Sequence, residues 1–227
     1  MTDQVPLRID DHELTVPRGT TIWEAARSVG VDIPVLCHDP RLAPIGVCRL
    51  CLVDAGEKKL TASCVREVEE GMQVTTQNPK LDACRAGLLE LLLADYPADA
   101  MDRLKTGRDE LAELAVAYGI EWDGTAGAGA TTGVGGIPAG DGRPSDASSP
   151  VIHVNHQACI LCDRCIRACD DVQVNEVIGR TGKGYGTRIS FDLDDPMGDS
   201  TCVSCGECEK VCPTGALSLT ILIGEAS

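Results

Sequence analysis

Aromatic residues are scarce in this sequence, with one Phe, two Trp and three Tyr among 227 residues. Aromatic rings usually contribute much of the apolar area that a protein core buries. Their scarcity excludes an ordinary aromatic-rich core, so the interior must be held together in another way. Cysteine, by contrast, is abundant, with 13 residues.

The sequence also has few basic residues, with 20 Lys and Arg against 35 Asp and Glu, and a net charge of −15. Such a balance makes nucleic acid and anionic membrane surfaces poor partners. No apolar run approaches the length of a membrane span, and no signal peptide is recognisable. We therefore expect a cytoplasmic protein that reaches the inner membrane only through a partner, and cysteines that bind metal rather than form disulfides.

Eight cysteines form two matching motifs near the C-terminus, each spaced C-x2-C-x2-C-x3-C and separated by 43 residues. This spacing is typical of two-cluster ferredoxins, in which the fourth cysteine of each motif binds the other cluster. Zinc sites are the alternative, but they more often show two separated pairs. The prediction is two [4Fe–4S] clusters. The first cube is assigned to Cys159, Cys162, Cys165 and Cys212, and the second cube to Cys202, Cys205, Cys208 and Cys169.

Four further cysteines, Cys37, Cys48, Cys51 and Cys64, are spaced C-x10-C-x2-C-x12-C. Four thiolates on one loop and a later strand suit a [2Fe–2S] cluster, although a zinc site stays open on spacing alone. His38 lies beside the first of them, where a Rieske-type ligand could stand. Because four cysteines already complete the site, we expect His38 to be a solvated loop residue.

The N-terminal pattern predicts strands at 5–9 and 12–17, then a helix from Ile22 to Val29 capped by Thr21 and Glu24. Strand, strand and helix is the opening of a β-grasp domain. An apolar helix is predicted at 81–93; it contains Cys84, the thirteenth cysteine, which is interpreted as a buried structural thiol.

Downstream, a helix is predicted around residues 111–118, and the Gly-rich stretch 124–150 reads as a flexible linker. Residues 182–186 read as a turn in the long insert between the two cysteine motifs. Strands are predicted at 151–154 and 217–223, paired beside the two cubes.

Two blocks of sequence carry a family resemblance. Residues 33–74 (IPVLCHDPRLAPIGVCRLCLVDAG…LTASCVREVEEGMQV) resemble the [2Fe–2S] domain of three kinds of subunit. These are the large peripheral subunit of NADH dehydrogenase, the diaphorase small subunit of NAD-reducing hydrogenases and the α subunit of NAD-dependent formate dehydrogenases. Residues 159–217 are most similar to the formate dehydrogenase α subunit. The resemblance implies cluster ligands at the twelve cysteines and a role in passing electrons.

The sequence departs from these relatives after residue 93. There the relatives carry a segment of the form H-P-x-D-C-x2-C-x5-C, which binds an additional [4Fe–4S] cluster. Here Tyr96 replaces the histidine, while Ala100, Arg103 and Asp109 replace the cysteines. None of the four supplies a soft thiolate, so we expect this cluster to be absent.

Together these observations predict an α+β protein. Its expected parts are a β-grasp [2Fe–2S] domain at 1–78, a helical remnant at 79–123, the linker at 124–150 and a bacterial-type two-[4Fe–4S] ferredoxin domain at 151–227. Apo-protein should fold poorly, because the clusters would cross-link its interior.

The expected function is electron relay within a multi-subunit oxidoreductase, most readily an NAD-linked formate dehydrogenase. The partners would be a flavin/NAD-binding subunit and a separate catalytic subunit, either a molybdopterin formate dehydrogenase or a hydrogenase. The sequence ends at Ser227, about where the resembling α subunits begin their molybdopterin domain, so the chain is expected to be non-catalytic. A diaphorase subunit of an NAD-reducing hydrogenase is the alternative. An iron-only hydrogenase and an iron–sulfur redox sensor are more distant rivals.

Overall fold

The structure is a computed structural model that describes residues 3–97, 109–121 and 145–223. The chain divides into two compact units, the first comprising residues 1–38 and 43–88 and the second residues 39–42 and 89–227. Short strands and short helices alternate in both units, so the fold is α+β as predicted.

The first unit is built on a three-stranded sheet. The strands β1 (Gln4–Ile9) and β2 (His12–Pro17) form the predicted antiparallel hairpin, and β5 (Gln73–Val74) pairs parallel to β1. Side chains alternate in and out along β1, which buries Val5, Leu7 and Ile9. This alternation is what fixes the face that the sheet turns to the core.

One helix, α1 (Ile22–Ser28), packs its apolar face into the same core as this sheet. The predicted capping box is confirmed: the Glu24 amide donates to Thr21 Oγ1 at 3.2 Å, and the Thr21 amide donates to Glu24 Oε2 at 2.8 Å. Trp23 is buried on the inner face and donates its indole N–H to the Ile33 carbonyl at 3.0 Å. Helix and sheet together give the predicted β-grasp arrangement.

Two short strands, β3 (Leu52–Val53) and β4 (Thr61–Ala62), pair antiparallel beside the cysteine loop. The next element is α2 (Pro79–Leu93), which begins two residues earlier than the apolar pattern predicted. Asn78 accounts for the earlier start, because its Oδ1 accepts from the Leu81 amide at 2.9 Å and so caps the first turn.

The second unit contains α3 (Glu110–Ala117) and a small sheet in which β6 (Ile152–Val154) pairs antiparallel with β9 (Leu217–Leu219). The predicted strand at 217–223 is wrong in its second half, which forms a helical turn, α6 (Thr220–Ile223). The cause is the short length of β6, the strand with which β9 pairs. The Thr220 amide donates to the Val151 carbonyl at 2.8 Å, and β6 offers no further partner beyond that bond.

A hairpin, β7 (Ile178–Thr181) and β8 (Arg188–Phe191), fills the insert between the two cysteine motifs, with the predicted turn between its strands. Gly182 has a φ of +76°, and a Cβ at this position would lie 2.3 Å from the Gly186 carbonyl oxygen. Only glycine fits so close a turn.

The last residues of the predicted linker are structured, while residues 122–144 lie outside the described residues. Asp146 pairs with Val154 through two backbone hydrogen bonds of 2.8 and 2.9 Å. Its carboxylate accepts from the Met197 amide at 2.7 Å, and Ser149 is buried. Residues 145–150 therefore belong to the second unit.

Candidate iron–sulfur cluster sites

The first cysteine group lies in the first unit, where Cys37, Cys51 and Cys64 are completely buried and Cys48 is half-buried. The amides of Cys37 and Cys48 each donate to the other's sulfur at 3.4 Å, and the sulfurs of Cys51 and Cys64 lie 3.3 Å apart. The structure thus gathers all four predicted [2Fe–2S] ligands from a loop and a strand end.

The four thiols share protons. Hydrogen bonds from the side chains of Cys48 and Cys64 lower the pKa of Cys37 to about 2, and Cys64 lowers the pKa of Cys51 to about 7. Cys37 in turn raises the pKa of both Cys48 and Cys64. Cluster binding requires thiolates, so iron would displace the protons that Cys48 and Cys64 retain.

Polar groups surround Cys51. The Ser63 amide donates to the Cys51 carbonyl at 3.0 Å. The buried Ser63 hydroxyl has no hydrogen-bond partner in the described structure, yet it lies near enough to Cys51 to help lower the pKa of that thiol. The buried Arg85 guanidinium donates to the carbonyls on either side, Leu50 at 3.2 Å and Leu52 at 2.8 Å. A buried cation and an orphaned hydroxyl beside four soft thiols fit an anionic iron–sulfur cluster.

His38 differs from its sequence-based prediction as a solvated loop residue. It is only 6% exposed, and its ring makes an edge-to-face contact with Trp23 at 4.6 Å between centroids. The expectation of solvation is wrong because the loop folds His38 back onto the indole of α1, where the imidazole serves as packing.

The second cysteine group lies in the second unit. There the 43-residue repeat of the sequence is also a repeat of the backbone conformation. The short helices α4 (Arg164–Arg167) and α5 (Glu207–Lys210) begin and end 43 residues apart. Each follows a left-handed residue, Asp163 at φ 58° and Gly206 at φ 80°. A second left-handed pair keeps the same spacing, Leu161 at 55° and Ser204 at 54°.

Left-handed residues turn successive backbone N–H groups inward, and such concave turns bind anions, including iron–sulfur clusters. The Ser204 amide already donates to the Cys202 sulfur at 3.4 Å. Strained conformations at non-glycine residues such as Leu161 are typical of functional sites. The two loops therefore share backbone turns of the kind that can bind an anionic cluster.

The eight cysteines fall into two spatial groups that cross between the motifs. One small cavity is lined by Cys159, Cys162, Cys165 and Cys212. A second is lined by Cys169, Cys202, Cys205 and Cys208. Cys169 reaches its group from a short π-helix, Ala168–Val172, an element frequent at functional sites. The structure thus brings together the sets assigned to the first and second cubes.

Three of these thiols have raised pKa values. Burial raises the pKa of Cys162 and of Cys208 to about 12, with nearby cysteines adding to the effect. Burial also raises the pKa of Cys165. These thiols hold their protons firmly at neutral pH, so cluster binding must release protons. Soft sulfur donors in two enclosed groups of four fit the two cubes.

Two of the positions that correspond to the relatives' histidine–cysteine motif hold a different interaction here. Tyr96 and Asp109 are both buried, and the Tyr96 hydroxyl lies 2.7 Å from Asp109 Oδ2 and 2.9 Å from the Thr214 carbonyl oxygen. Asp109 also caps α3, accepting from the Ala112 amide at 2.9 Å. Two of the four replacement residues therefore bond to each other. The other two, Ala100 and Arg103, lie outside the described residues.

Tyr96→Phe is expected to destabilise the second unit by about 1–3 kcal/mol, because the buried Asp109 carboxylate loses a hydrogen-bond donor. Thermal unfolding of the cluster-loaded chain, followed anaerobically, would measure the loss. Tyr118→Phe is the matched control, since the Tyr118 hydroxyl bonds to none of the described residues. Equal stability of Tyr96→Phe and the parent chain would show that this bond contributes nothing.

One feature near the candidate site escaped the sequence analysis. Arg164 and Arg167 are buried, at 4% and 9% exposure, between cysteines assigned to the clusters, and no motif marks buried arginines in advance. The interpretation of Cys84 as a buried thiol is wrong, because Cys84 is half-buried; it lines neither of the two cysteine-lined cavities.

Two domain families match the chain. Residues 2–79 match the 2Fe-2S iron-sulfur cluster binding domain, and residues 158–216 match the 4Fe-4S dicluster domain. The matches confirm the predicted fold class and support one [2Fe–2S] cluster with two [4Fe–4S] clusters.

Several known proteins are similar over nearly the whole chain. A component of the NADH-quinone oxidoreductase of Rhizobium meliloti is 32% identical over 94% of this chain, and the HndD component of the NADP-reducing hydrogenase of Solidesulfovibrio fructosivorans is 33% identical over 93%. This chain spans only 24% and 35% of their lengths.

A crystal structure of an NAD+-reducing [NiFe]-hydrogenase in its H2-reduced state contains a chain of the same fold. The TM-score is 0.81 at 29% identity, covering 95% of this chain and 87% of the other. The predicted resemblance to iron–sulfur subunits of NADH dehydrogenases and NAD(P)-reducing hydrogenases is confirmed. A search of the described helices finds none that is long and apolar enough to span a membrane.

Proposed function

We propose that this chain, which carries a [2Fe–2S] domain and a [4Fe–4S] dicluster domain, is the electron-transfer subunit of a multi-subunit NAD-linked oxidoreductase. The observation that supports it best is the gathering of twelve cysteines into three groups of four. Their assignment as cluster ligands is part of the proposal. Clusters of these types supply one-electron transfer when bound.

The chain's own residues would bind the clusters and would determine how far each cluster lies from solvent. Each group contains at least two buried cysteines, and backbone amides donate to sulfur in two of the groups. Cys205 is exposed, so the second cube would lie close to the surface of its unit. A cluster near the surface is where electrons can pass to or from a partner.

Two catalytic partners are compatible with this role. Residues 159–217 resemble the α subunit of formate dehydrogenases, which favours a molybdopterin formate dehydrogenase. The relatives named above instead favour a hydrogenase, because one is part of an NADP-reducing hydrogenase and another belongs to an NAD+-reducing one. In both cases a flavin/NAD-binding subunit would exchange electrons with this chain.

Anaerobic purification of the tagged chain with its companion subunits would test the proposal. NADH is expected to reduce the clusters of the complex but not those of the isolated chain, because the nicotinamide has to react at a flavin on another subunit. Formate-dependent or hydrogen-dependent reduction of NAD+ would identify the catalytic partner.

Cluster reduction by NADH in the isolated chain would contradict the proposal that NADH reacts at a flavin on another subunit. A chain that purifies alone and binds DNA would instead favour the redox-sensor alternative.

A further inference from the structure

The two cubes occupy repeated structures, yet the charges beside them differ in sign. Arg164 begins α4 beside the first cube, and its equivalent 43 residues later is Glu207. Asp170 follows Cys169, a ligand of the second cube, whereas the equivalent Pro213 follows Cys212 without a charge. The backbone repeats while the charges differ. The two cluster environments can therefore be compared within one chain.

Two buried arginines lie next to the segments that carry the first cube's ligands. Arg164 donates to the Val211 carbonyl at 3.4 Å and pairs with Glu110, which is half exposed, at 2.8 Å. Arg164 directly precedes the ligand Cys165. Glu110 offsets only part of the Arg164 charge, because Glu110 is half exposed and solvent screens it. Arg167 donates to the Cys162 carbonyl at 3.3 Å.

Carboxylates follow a ligand of the second cube along the chain. Asp170 comes directly after Cys169, and its buried Oδ1 has no hydrogen-bond partner in the described structure. Asp171 and Glu176 are the next acidic residues. Within the described part of the chain, no lysine or arginine forms an ion pair with these three carboxylates. Glu207 is different, because Lys210 at 2.7 Å and Arg41 at 3.2 Å offset its charge.

Reduction adds one negative charge to a cluster. Nearby cations stabilise the reduced form and raise the reduction potential, whereas nearby carboxylates lower it. We propose that the first cube has a higher reduction potential than the second, because Arg164 raises the potential of the first cube and Asp170 lowers that of the second. An electron shared between the two cubes then resides on the first. The second cube loses one electron and the first gains it, with no proton or bond exchanged.

Redox titration of the cluster-loaded chain, followed by electron paramagnetic resonance, would test this. Arg164→Gln is expected to lower the higher of the two [4Fe–4S] potentials. At a fixed ambient potential the ratio of reduced to oxidised cluster should fall about tenfold, or about 59 mV for a one-electron couple. Asp170→Asn should raise the lower potential by a similar factor.

Two controls separate local charge from other effects. Arg164→Lys keeps the charge and should preserve the gap between the two potentials, even if the fold is disturbed elsewhere. Arg188→Gln removes a more exposed arginine that pairs with Asp194, and should shift neither potential. A shift in Arg188→Gln as large as that in Arg164→Gln would attribute the effect to net charge and overturn the proposal.

The inference rests on the proposed cluster sites but not on the identity of any partner. If the parent chain shows no [4Fe–4S] signals, the cluster sites themselves fail. If the signals appear and Arg164→Gln moves the lower potential, or neither variant moves any potential, only this inference fails.

Discussion

Anaerobically purified chain is expected to contain about ten iron atoms and about ten acid-labile sulfides, which corresponds to one [2Fe–2S] and two [4Fe–4S] clusters. Relatives that keep the histidine–cysteine motif would hold about four more of each in this stretch. The difference is large enough for ordinary iron and sulfide assays on protein of known concentration.

The reason for the lower count is the chemistry of the replaced residues. In the structure Tyr96 and Asp109 are buried and lie 2.7 Å apart, so two of the four former ligand positions bond to each other. In the sequence the other two positions are Ala100 and Arg103, neither of which can bind iron as a thiolate does.

Electron tunnelling weakens steeply with distance, so a relay that lacks the predicted-absent cluster would have to bypass the point or use a cofactor of a partner.

Cys84→Ser is the matched control for the iron count, because Cys84 lines neither of the two cysteine-lined cavities and lies outside the spaced set Cys37, Cys48, Cys51 and Cys64. The count should not change in this variant. A reproducible value near fourteen iron atoms in the parent chain would overturn the prediction and require unrecognised ligands around residues 96–109.

Cys169→Ala and Cys205→Ala are expected to abolish the same [4Fe–4S] signal, although the two cysteines belong to different sequence motifs. Both line one cavity with Cys202 and Cys208, and each supplies one of the four thiolates that a cube needs. Cys162→Ala should abolish the other signal, since Cys162 lines the cavity that contains Cys212.

Electron paramagnetic resonance of the three variants, each prepared anaerobically, would distinguish the two signals. If Cys169→Ala matched Cys162→Ala instead, the fourth ligands would not cross between the motifs. Redox titration of the same samples would also test the order of the potentials, because the signal that Cys205→Ala removes should belong to the cube with the lower reduction potential.

Much of the candidate site could be predicted from cysteine spacing. A cluster needs several thiolates from a short loop, so the spacing of Cys159, Cys162 and Cys165 reflects the geometry of a cube directly. The crossing of Cys169 and Cys212 was predicted in the same way, and the structure places each with the opposite motif. The capping box at Thr21 was equally local and is confirmed.

Other features could not be predicted because they depend on residues far apart in the sequence. His38 is buried because the fold places Trp23 against it, and the strand predicted at 217–223 stops at Leu219 because β6 offers no longer partner. Local patterns contain no information on either contact.

The sequence by itself therefore determined the fold class, the grouping of the twelve cysteines and the kinds of cluster they suit, because ligand spacing and strand alternation are local properties of the chain. Only the tertiary structure decided what surrounds each cluster. It buries Arg164 against the Val211 carbonyl and makes Tyr96 and Asp109 partners across 13 residues. The field at a buried site is the sum of charges that folding brings together, and neighbours in space need not be neighbours in sequence.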